Sequence, residues 1–247
     1  MAARSRRKKS ARRAARSKTT LSDGHVFTAP EGVRGFDANV VITPDAAQAF
    51  YAHGYRFCVR YVARRKASGN DLSPGEAATL LDAGFALMVV QHVEAEGGWM
   101  PTPSKGTAYG TMAASESTRI GIPAGVCVWC DLEGVAVGTP SNDVVEYCNQ
   151  WHSAVAGAGF IPALYVGWRA GLNSVQLYRA LRFTHYWGAY NLNADQGPAV
   201  RGLQMKQSES RPIDRVPAFD FGFQTDLIRT DALGGRPTVV APENWLE

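Results

Sequence analysis

Two hundred and forty-seven residues, 45% hydrophobic and 19% charged, can bury a core without disulfide or metal staples, which excludes a disordered or fibrous chain. The formal net charge of +4 is unevenly placed: residues 1–20 hold nine Lys or Arg and no acid, while the remainder carries 17 basic against 22 acidic side chains, a net of −5. An acidic body carries a basic arm.

The arm, taken as residues 1–30 with its linker, repels itself and has no apolar face, which predicts disorder. Its cations suit nucleic-acid phosphates, an anionic wall polymer or a virion subunit without any sequence readout. A secretory leader needs an apolar run of about 7–15 residues after its basic start. Residues 19–28 read TTLSDGHVFT instead, and the pairs Arg6-Arg7 and Arg12-Arg13 also lack such a run. No stretch approaches the roughly 18 apolar residues of a membrane span. These features predict cytoplasmic synthesis without membrane insertion and, for a protein acting outside the cell, release on lysis or carriage in a phage virion.

From residue 31 short β-branched or aromatic runs alternate with Ala-rich helical stretches. Strands are predicted over 34–38, 56–63, 85–93, 125–133, 161–168, 185–191, 202–209 and 219–228. Helices declare their starts at Thr43-Pro44-Asp45, an N-cap followed by Pro, and at Ser73-Pro74-Gly75-Glu76, a capping box with the same Pro. They stop at glycines: His53-Gly54, Ala83-Gly84 and, after a helix from Ser141, Gly157-Ala158-Gly159. Eight βα units within about 250 residues fit one closed (β/α)₈ TIM-type barrel over 31–236 better than an open doubly wound sheet. No Gly-rich phosphate turn follows the first strand, and residues 237–247 read as an extended tail.

Four cysteines are too few for a disulfide framework in a chain of this size. Cys127 and Cys130 form a C-x-x-C, but a spacing of three on a strand sends the sulfurs to opposite faces, so both read as small buried hydrophobes. Neither a metal nor an organic cofactor is implied.

In such a barrel the reacting groups lie at the C-terminal ends of the strands. The strongest pair there is Asp131-x-Glu133, because residues two apart on a strand share a face, here the lumen. Two carboxylates held that close cannot both ionise easily, so one keeps its proton and can donate it, as glycosidic cleavage requires. The partner orients it or stabilises the charge that develops on the sugar or on a participating substrate group. Asp37 and Asp226 sit on the first and last strands, which become neighbours on closure, so four acids ring one pocket. Tyr165, Trp187 and Tyr190 offer flat faces on which pyranose rings stack, and Gln91, Gln204 and Gln207 can hydrogen-bond hydroxyl or acetamido groups. Arg60 has the parity of Cys58 and is expected to pair inside the barrel with Asp37 or Glu133, positioning structure or substrate. His92, of opposite parity to Gln91, is expected to face the helices.

Gly35-Phe36-Asp37, Arg60-Tyr61, the segment Leu72-Ser73-Pro74-Gly75-Glu76 with Ala83-Gly84, Asp131-Leu132-Glu133 and Thr225-Asp226 together resemble the glycoside hydrolase-like domain of unknown function found in bacteria and their phages. That TIM-barrel family is related to the family 25 lysozymes, and the resemblance covers residues 33–236. It implies cleavage of the muramic acid to glucosamine bond of peptidoglycan, with Glu133 as general acid, Asp131 as its partner and Asp37 and Asp226 as pocket acids. The late acid has a rival in Asp220, and Lys206-Gln207-Ser208 stands where the lysozymes favour Trp-Gln-Tyr. The leading expectation is a cell-wall glycan hydrolase of the muramidase kind. The alternative is an inactive glycan-binding or virion structural module on the same barrel. A nuclease recruited by the arm is a distant third, for want of a metal-ligand cluster.

Overall fold

The eight strands expected between residues 34 and 228 are all present, and the computed structural model adds one at each end. It describes residues 21, 24–95, 97–208, 216 and 222–247; the basic arm 1–20 and Asp220 lie outside the described residues. In chain order the elements are β1 (His25–Thr28), β2 (Arg34–Ala38), α1 (Pro44–Ala52), β3 (Phe57–Val62), α2 (Pro74–Asp82), β4 (Ala86–Gln91), α3 (Pro103–Ile120), β5 (Cys127–Leu132), α4 (Ser141–Gly157), β6 (Ile161–Val166), α5 (Ser174–Arg179), β7 (Tyr186–Gly188), β8 (Met205–Ser208), β9 (Gln224–Ile228) and β10 (Thr238–Ala241).

The helix starts follow their sequence signals. Thr43 Oγ1 accepts the Ala46 N–H at 3.2 Å and Ser73 Oγ accepts the Glu76 N–H at 3.1 Å, each with Pro in the first turn. Glu76 does not complete the expected capping box. Its carboxylate turns into the protein, where it accepts from Arg60 Nε at 2.7 Å and from the Ile42 N–H at 2.8 Å. A buried guanidinium outcompetes an exposed backbone N–H for a carboxylate. Gly54, Gly84 and Gly159, just past α1, α2 and α4, have φ of 87°, 93° and 89°, the left-handed stop the sequence predicts.

Strands β2 to β9 close into a ring through the β4–β5 and β9–β2 pairings. Seven run parallel, but β9 is antiparallel to both β8 and β2. The eightfold βα repeat lapses after α5. The parallel strands β7 and β8 are joined across only the three-residue 3-10 turn Ala194–Gln196, and β9, which reverses against β8, needs no crossover helix. Strand direction leaves no mark on residue pattern, so the sequence reads β9 as one more parallel unit.

The added strands β1 and β10 pair antiparallel, His25 opposite Ala241. This ribbon lies against the N-terminal ends of β4 and β5: Val240 bridges Leu87, and Thr238 Oγ1 donates to the Gly125 carbonyl at 2.6 Å. The segment read as an extended tail thus belongs to the sheet.

Outside the ring, Phe36 stacks on Phe50 at 4.0 Å and Phe223 meets Phe50 edge-on at 4.9 Å, joining β2 to α1. Inside it, Trp129 donates its indole N–H to Met88 Sδ at 3.3 Å and meets Trp187 at 5.8 Å, which in turn meets Tyr165 at 4.5 Å. The two C-x-x-C sulfurs diverge: Cys127 faces Thr238 of β10, and Cys130 faces Tyr147 of α4. Burial pushes the Cys127 thiol up to about 11, which keeps it unreactive. Among the described residues no helix is long and apolar enough to cross a membrane.

Candidate active site

The lumen opens at the C-terminal ends of the parallel strands. Asp37 of β2, Asp131 of β5, Glu133 just beyond β5 and Asp226 of β9 all act electrostatically on the Tyr61 phenol of β3. The first three also act on the Tyr165 hydroxyl of β6. The structure thus brings the four expected acids around one lumen. Burial and these charges hold both phenols well above their usual range, so they are hydrogen-bond donors rather than bases.

Asp37 is held by a chain of side chains. Gln207 Nε2 donates to Asp37 Oδ2 at 2.8 Å, while Gln207 Oε1 accepts from the Tyr165 hydroxyl at 3.1 Å and from the Tyr190 N–H at 3.2 Å. Burial nevertheless lifts Asp37 from 3.8 to about 6, outweighing the bonds from Gln207 and Asp226. Asp226 lies opposite both Gly35 and Gln207 in the ladder and is fully buried. Burial first, then the Asp37 charge beside it, pushes its pKa well up, and the Trp187 indole offsets only part of this. Two like charges in one dry site split their titrations, so Asp37 ionises first and Asp226 keeps its proton.

Glu133 is half-buried and lines a cleft of about 460 Å³ with Gly97, Gly134, Tyr165, Trp168, Tyr190 and Asn191. Trp168 and Tyr190 are 53% and 47% exposed at its rim. The backbone of Glu133 is pinned by the Trp99 indole N–H, which donates to its carbonyl at 2.7 Å. The Gly134 N–H donates to the Trp168 carbonyl, also at 2.7 Å. A Cβ on Gly167 would sit 2.4 Å from Glu133 Oε2, so only glycine there leaves the carboxylate its place. The arrangement presents one carboxyl group to a cleft with aromatic walls and keeps three more acids below it.

Several expected site residues fall elsewhere. Arg60 is fully buried and points out of the barrel, donating to Glu76, to the Ala38 carbonyl and, at 2.7 Å, to the Asn70 carbonyl. It neither pairs with Asp37 or Glu133 nor reaches the cleft. Gln91 also faces the helices: its amide donates to the Tyr109 carbonyl at 2.8 Å and accepts from Trp151 Nε1 at 2.9 Å. His92 consequently faces the other way, stacked on Tyr61 at 4.7 Å with Nε2 2.7 Å from Asp71 Oδ1. The parity of β4 is unreadable because all six residues are buried, and a strand covered on both faces shows no alternation. Trp187 is 1% exposed and belongs to the lumen core, not to a sugar platform. Gln204 is fully buried, accepts the Tyr186 N–H at 2.6 Å and donates to Asp231. Tyr165, Tyr190 and Gln207 do meet at the cleft and its floor.

Sequence reasoning missed Trp168, Asn191 and Trp99, and it named Tyr61 only within the Arg60-Tyr61 motif, without a role. Trp168 carried a signal, a large aromatic at a predicted strand end beside Arg169. Trp99 carried none, because its contact with Glu133 joins a loop to a strand 34 positions away.

Residues 48–211 match the model of the Rv2525c-like, glycoside hydrolase-like domain family. Comparison with curated protein sequences found no match. Among solved structures, the Tat-secreted protein Rv2525c of Mycobacterium tuberculosis, in complex with HEPES, is similar at 17% identity and a TM-score of 0.58, over 80% of this chain and 95% of that one. A bacterial lysozyme from Streptomyces coelicolor is similar at 14% identity and a TM-score of 0.55, over 83% of this chain and 95% of the other. The catalytic domain of the endolysin ply40, from bacteriophage P40 of Listeria monocytogenes, is similar at 17% identity and a TM-score of 0.54, covering 82% and 95%. At these identities the likeness is one of fold.

Proposed function

Since the chain belongs to the Rv2525c-like, glycoside hydrolase-like domain family, whose barrel it shares with lysozymes and endolysins, we propose that it hydrolyses the glycan of the bacterial cell wall, with Glu133 as general acid. The observation that carries this reading is the position of Glu133, a half-buried carboxyl in a cleft walled by Trp168 and Tyr190. The aromatic faces suit pyranose rings.

In this reading Glu133 passes its proton to the glycosidic oxygen as the bond from that oxygen to the anomeric carbon breaks. The leaving sugar departs as an alcohol. Positive charge develops on the remaining sugar, and Asp131, projecting from the same face of β5, stabilises it or orients a substrate group that shares it. Water supplies the new hydroxyl and its second proton restores Glu133. Asp37, ionised above about pH 6 and held by Gln207, adds negative potential beneath the reacting carbon. Asp226, kept neutral by burial and by Asp37, spares the lumen a further charge. The nine cations of residues 1–20 would draw the protein to the anionic wall without specific contacts.

The test is incubation of the protein and its Glu133→Gln variant with purified peptidoglycan, followed by mass spectrometry of released fragments. New reducing ends from the wild type alone are expected. Wall binding by both proteins with products from neither would replace the hydrolase by a glycan-binding barrel.

A further inference from the structure

The body of this protein is net acidic, yet one side of the barrel mouth is not. The loop after β3 carries Arg64, Arg65 and Lys66 in succession, and the first turn of α3 adds Lys105. Arg64, Arg65, Lys66, Ser68 and His92 line a groove of about 310 Å³ there.

The three cations that line the groove are held chiefly by neutral partners, and the carboxylate nearest them, Glu94, is paired with Lys105. Arg64 donates to the Tyr109 hydroxyl at 3.0 Å and to the Glu94 carbonyl at 3.1 Å, both uncharged partners. The side chain of Arg65 is 70% exposed and only 3.9 Å from Glu94, whose closer partner is Lys105 at 2.8 Å. Lys66 is exposed and has no carboxylate within 4 Å among the described residues. The acid that lines the groove, Asp71, is occupied by His92 and by the Ser68 N–H at 2.6 Å. Three cations, Arg64, Arg65 and Lys66, thus line the groove with one acid, Asp71, that is already engaged, while Glu94 beside them is taken by Lys105. A guanidinium fixed by neutral partners retains its charge for an incoming oxyanion.

The groove adjoins the Glu133 cleft. Strands β3, β4 and β5 are consecutive in the ring, and the β4–α3 loop stands between the two sites. Gly97 of that loop lines the cleft, whereas Lys105, where the loop enters α3, lies 6.0 Å from the ring of Trp99, whose indole holds the Glu133 carbonyl.

We propose that this groove is an anion subsite for the free carboxylates of the peptide stems borne by the glycan strand whose backbone occupies the Glu133 cleft. The proposal rests on the wall-glycan reading and adds to it a preference for peptide-substituted, carboxylate-rich strands over neutral glycans. Carboxylates are favoured over wall phosphodiesters because the stems hang from the very strand that would be cut, within reach of a groove beside the cleft.

The test uses the full chain and the double variant Arg65→Ala/Lys66→Ala, both at exposed positions, with Lys66→Glu as a second variant and circular dichroism as the check on folding. Binding is measured by pelleting at low ionic strength on three insoluble walls: native peptidoglycan, peptidoglycan whose carboxyls are converted to neutral methylamides, and peptidoglycan freed of phosphodiester polymers by hydrofluoric acid. The arm contributes equally to every protein, so the quantity read is the ratio of wild-type to variant affinity. A ratio of about five- to tenfold is expected on native wall, from two exposed charge contacts. It should persist on the acid-stripped wall and close on the amidated one. A ratio near one on native wall, or one that survives amidation, overturns the subsite; a ratio lost only with the phosphodiesters assigns the groove to phosphate and overturns it too. Absence of glycan cleavage bears on the hydrolase reading, and this binding ratio is independent of it.

Discussion

Asp226 of β9 lies beside Asp37 of β2 inside the closed barrel, and burial of both makes a second negative charge there costly. The folded protein therefore binds protons at this pair more tightly than the unfolded chain does. For Asp37 the stabilisation is fully present below its ordinary value of 3.8 and is lost as pH rises through about 6. Asp226, raised further, extends the loss to higher pH. The wild type is expected to lose on the order of 2–3 kcal/mol between pH 4 and pH 7 through Asp37, relative to Asp37→Asn. Urea unfolding of the two proteins across that range checks this; parallel stability curves would contradict it. Asp226→Asn should be more stable than wild type at pH 8, since it removes the group that resists ionisation.

Arg60 and Glu76 are buried together at 2.7 Å between β3 and α2. Breaking such a pair from one side strands a charge, so Arg60→Met should destabilise by about 3–5 kcal/mol. Replacing both, as Arg60→Met/Glu76→Leu, should recover part of that loss. Recovery stays incomplete because the Ile42 N–H loses its acceptor. Chemical denaturation of the three proteins measures the difference. A mild effect of Arg60→Met with a large loss of turnover would return Arg60 to the site.

How much of this was legible in the sequence divides along a physical line. Local signals were reliable: Pro-led caps at Thr43 and Ser73 and the glycine stops mark helix ends because each acts within a few residues. The placing of Asp37, Asp131, Glu133 and Asp226 around one lumen followed from strand order and alternation. The failures are long-range. Arg60 and Gln91 lie on strands buried on both faces, where hydrophobicity does not reveal which side is the lumen, and Trp187 is on the lumen side but packed against Trp129 and Tyr165 below the cleft. The reversed β9 and the β1–β10 ribbon depend on pairings between distant segments, which composition does not encode.

Trp99 reaches across from the β4–α3 loop to donate its indole N–H to the Glu133 carbonyl. Trp99→Phe keeps the ring against Tyr147, 5.0 Å away, but removes the donor. The expected cost is about 1 kcal/mol of stability, from one lost hydrogen bond. If Glu133 is the general acid, its misplacement should lower kcat severalfold while KM changes little, because the aromatic walls that would hold the glycan stay in place. A variant with unchanged kcat would show that Trp99 serves only the loop.

Trp168 and Tyr190 are exposed on the cleft rim, and Trp168 carries the Arg169 guanidinium 4.6 Å from its ring. Large aromatics left in water at a concave site contribute little to folding, so Trp168→Ala should leave the unfolding midpoint within about 0.5 kcal/mol of wild type. Its loss should instead raise the KM for soluble glycan strands about tenfold, the worth of one stacked ring. Tyr190→Ala should act in the same direction, and the double variant more than either alone, since both walls would hold one strand. Turnover at saturating substrate separates this from damage to the acid: kcat should survive in both single variants. A fall in kcat with KM unchanged would mean that the rim shapes the reacting geometry and that glycan is held elsewhere.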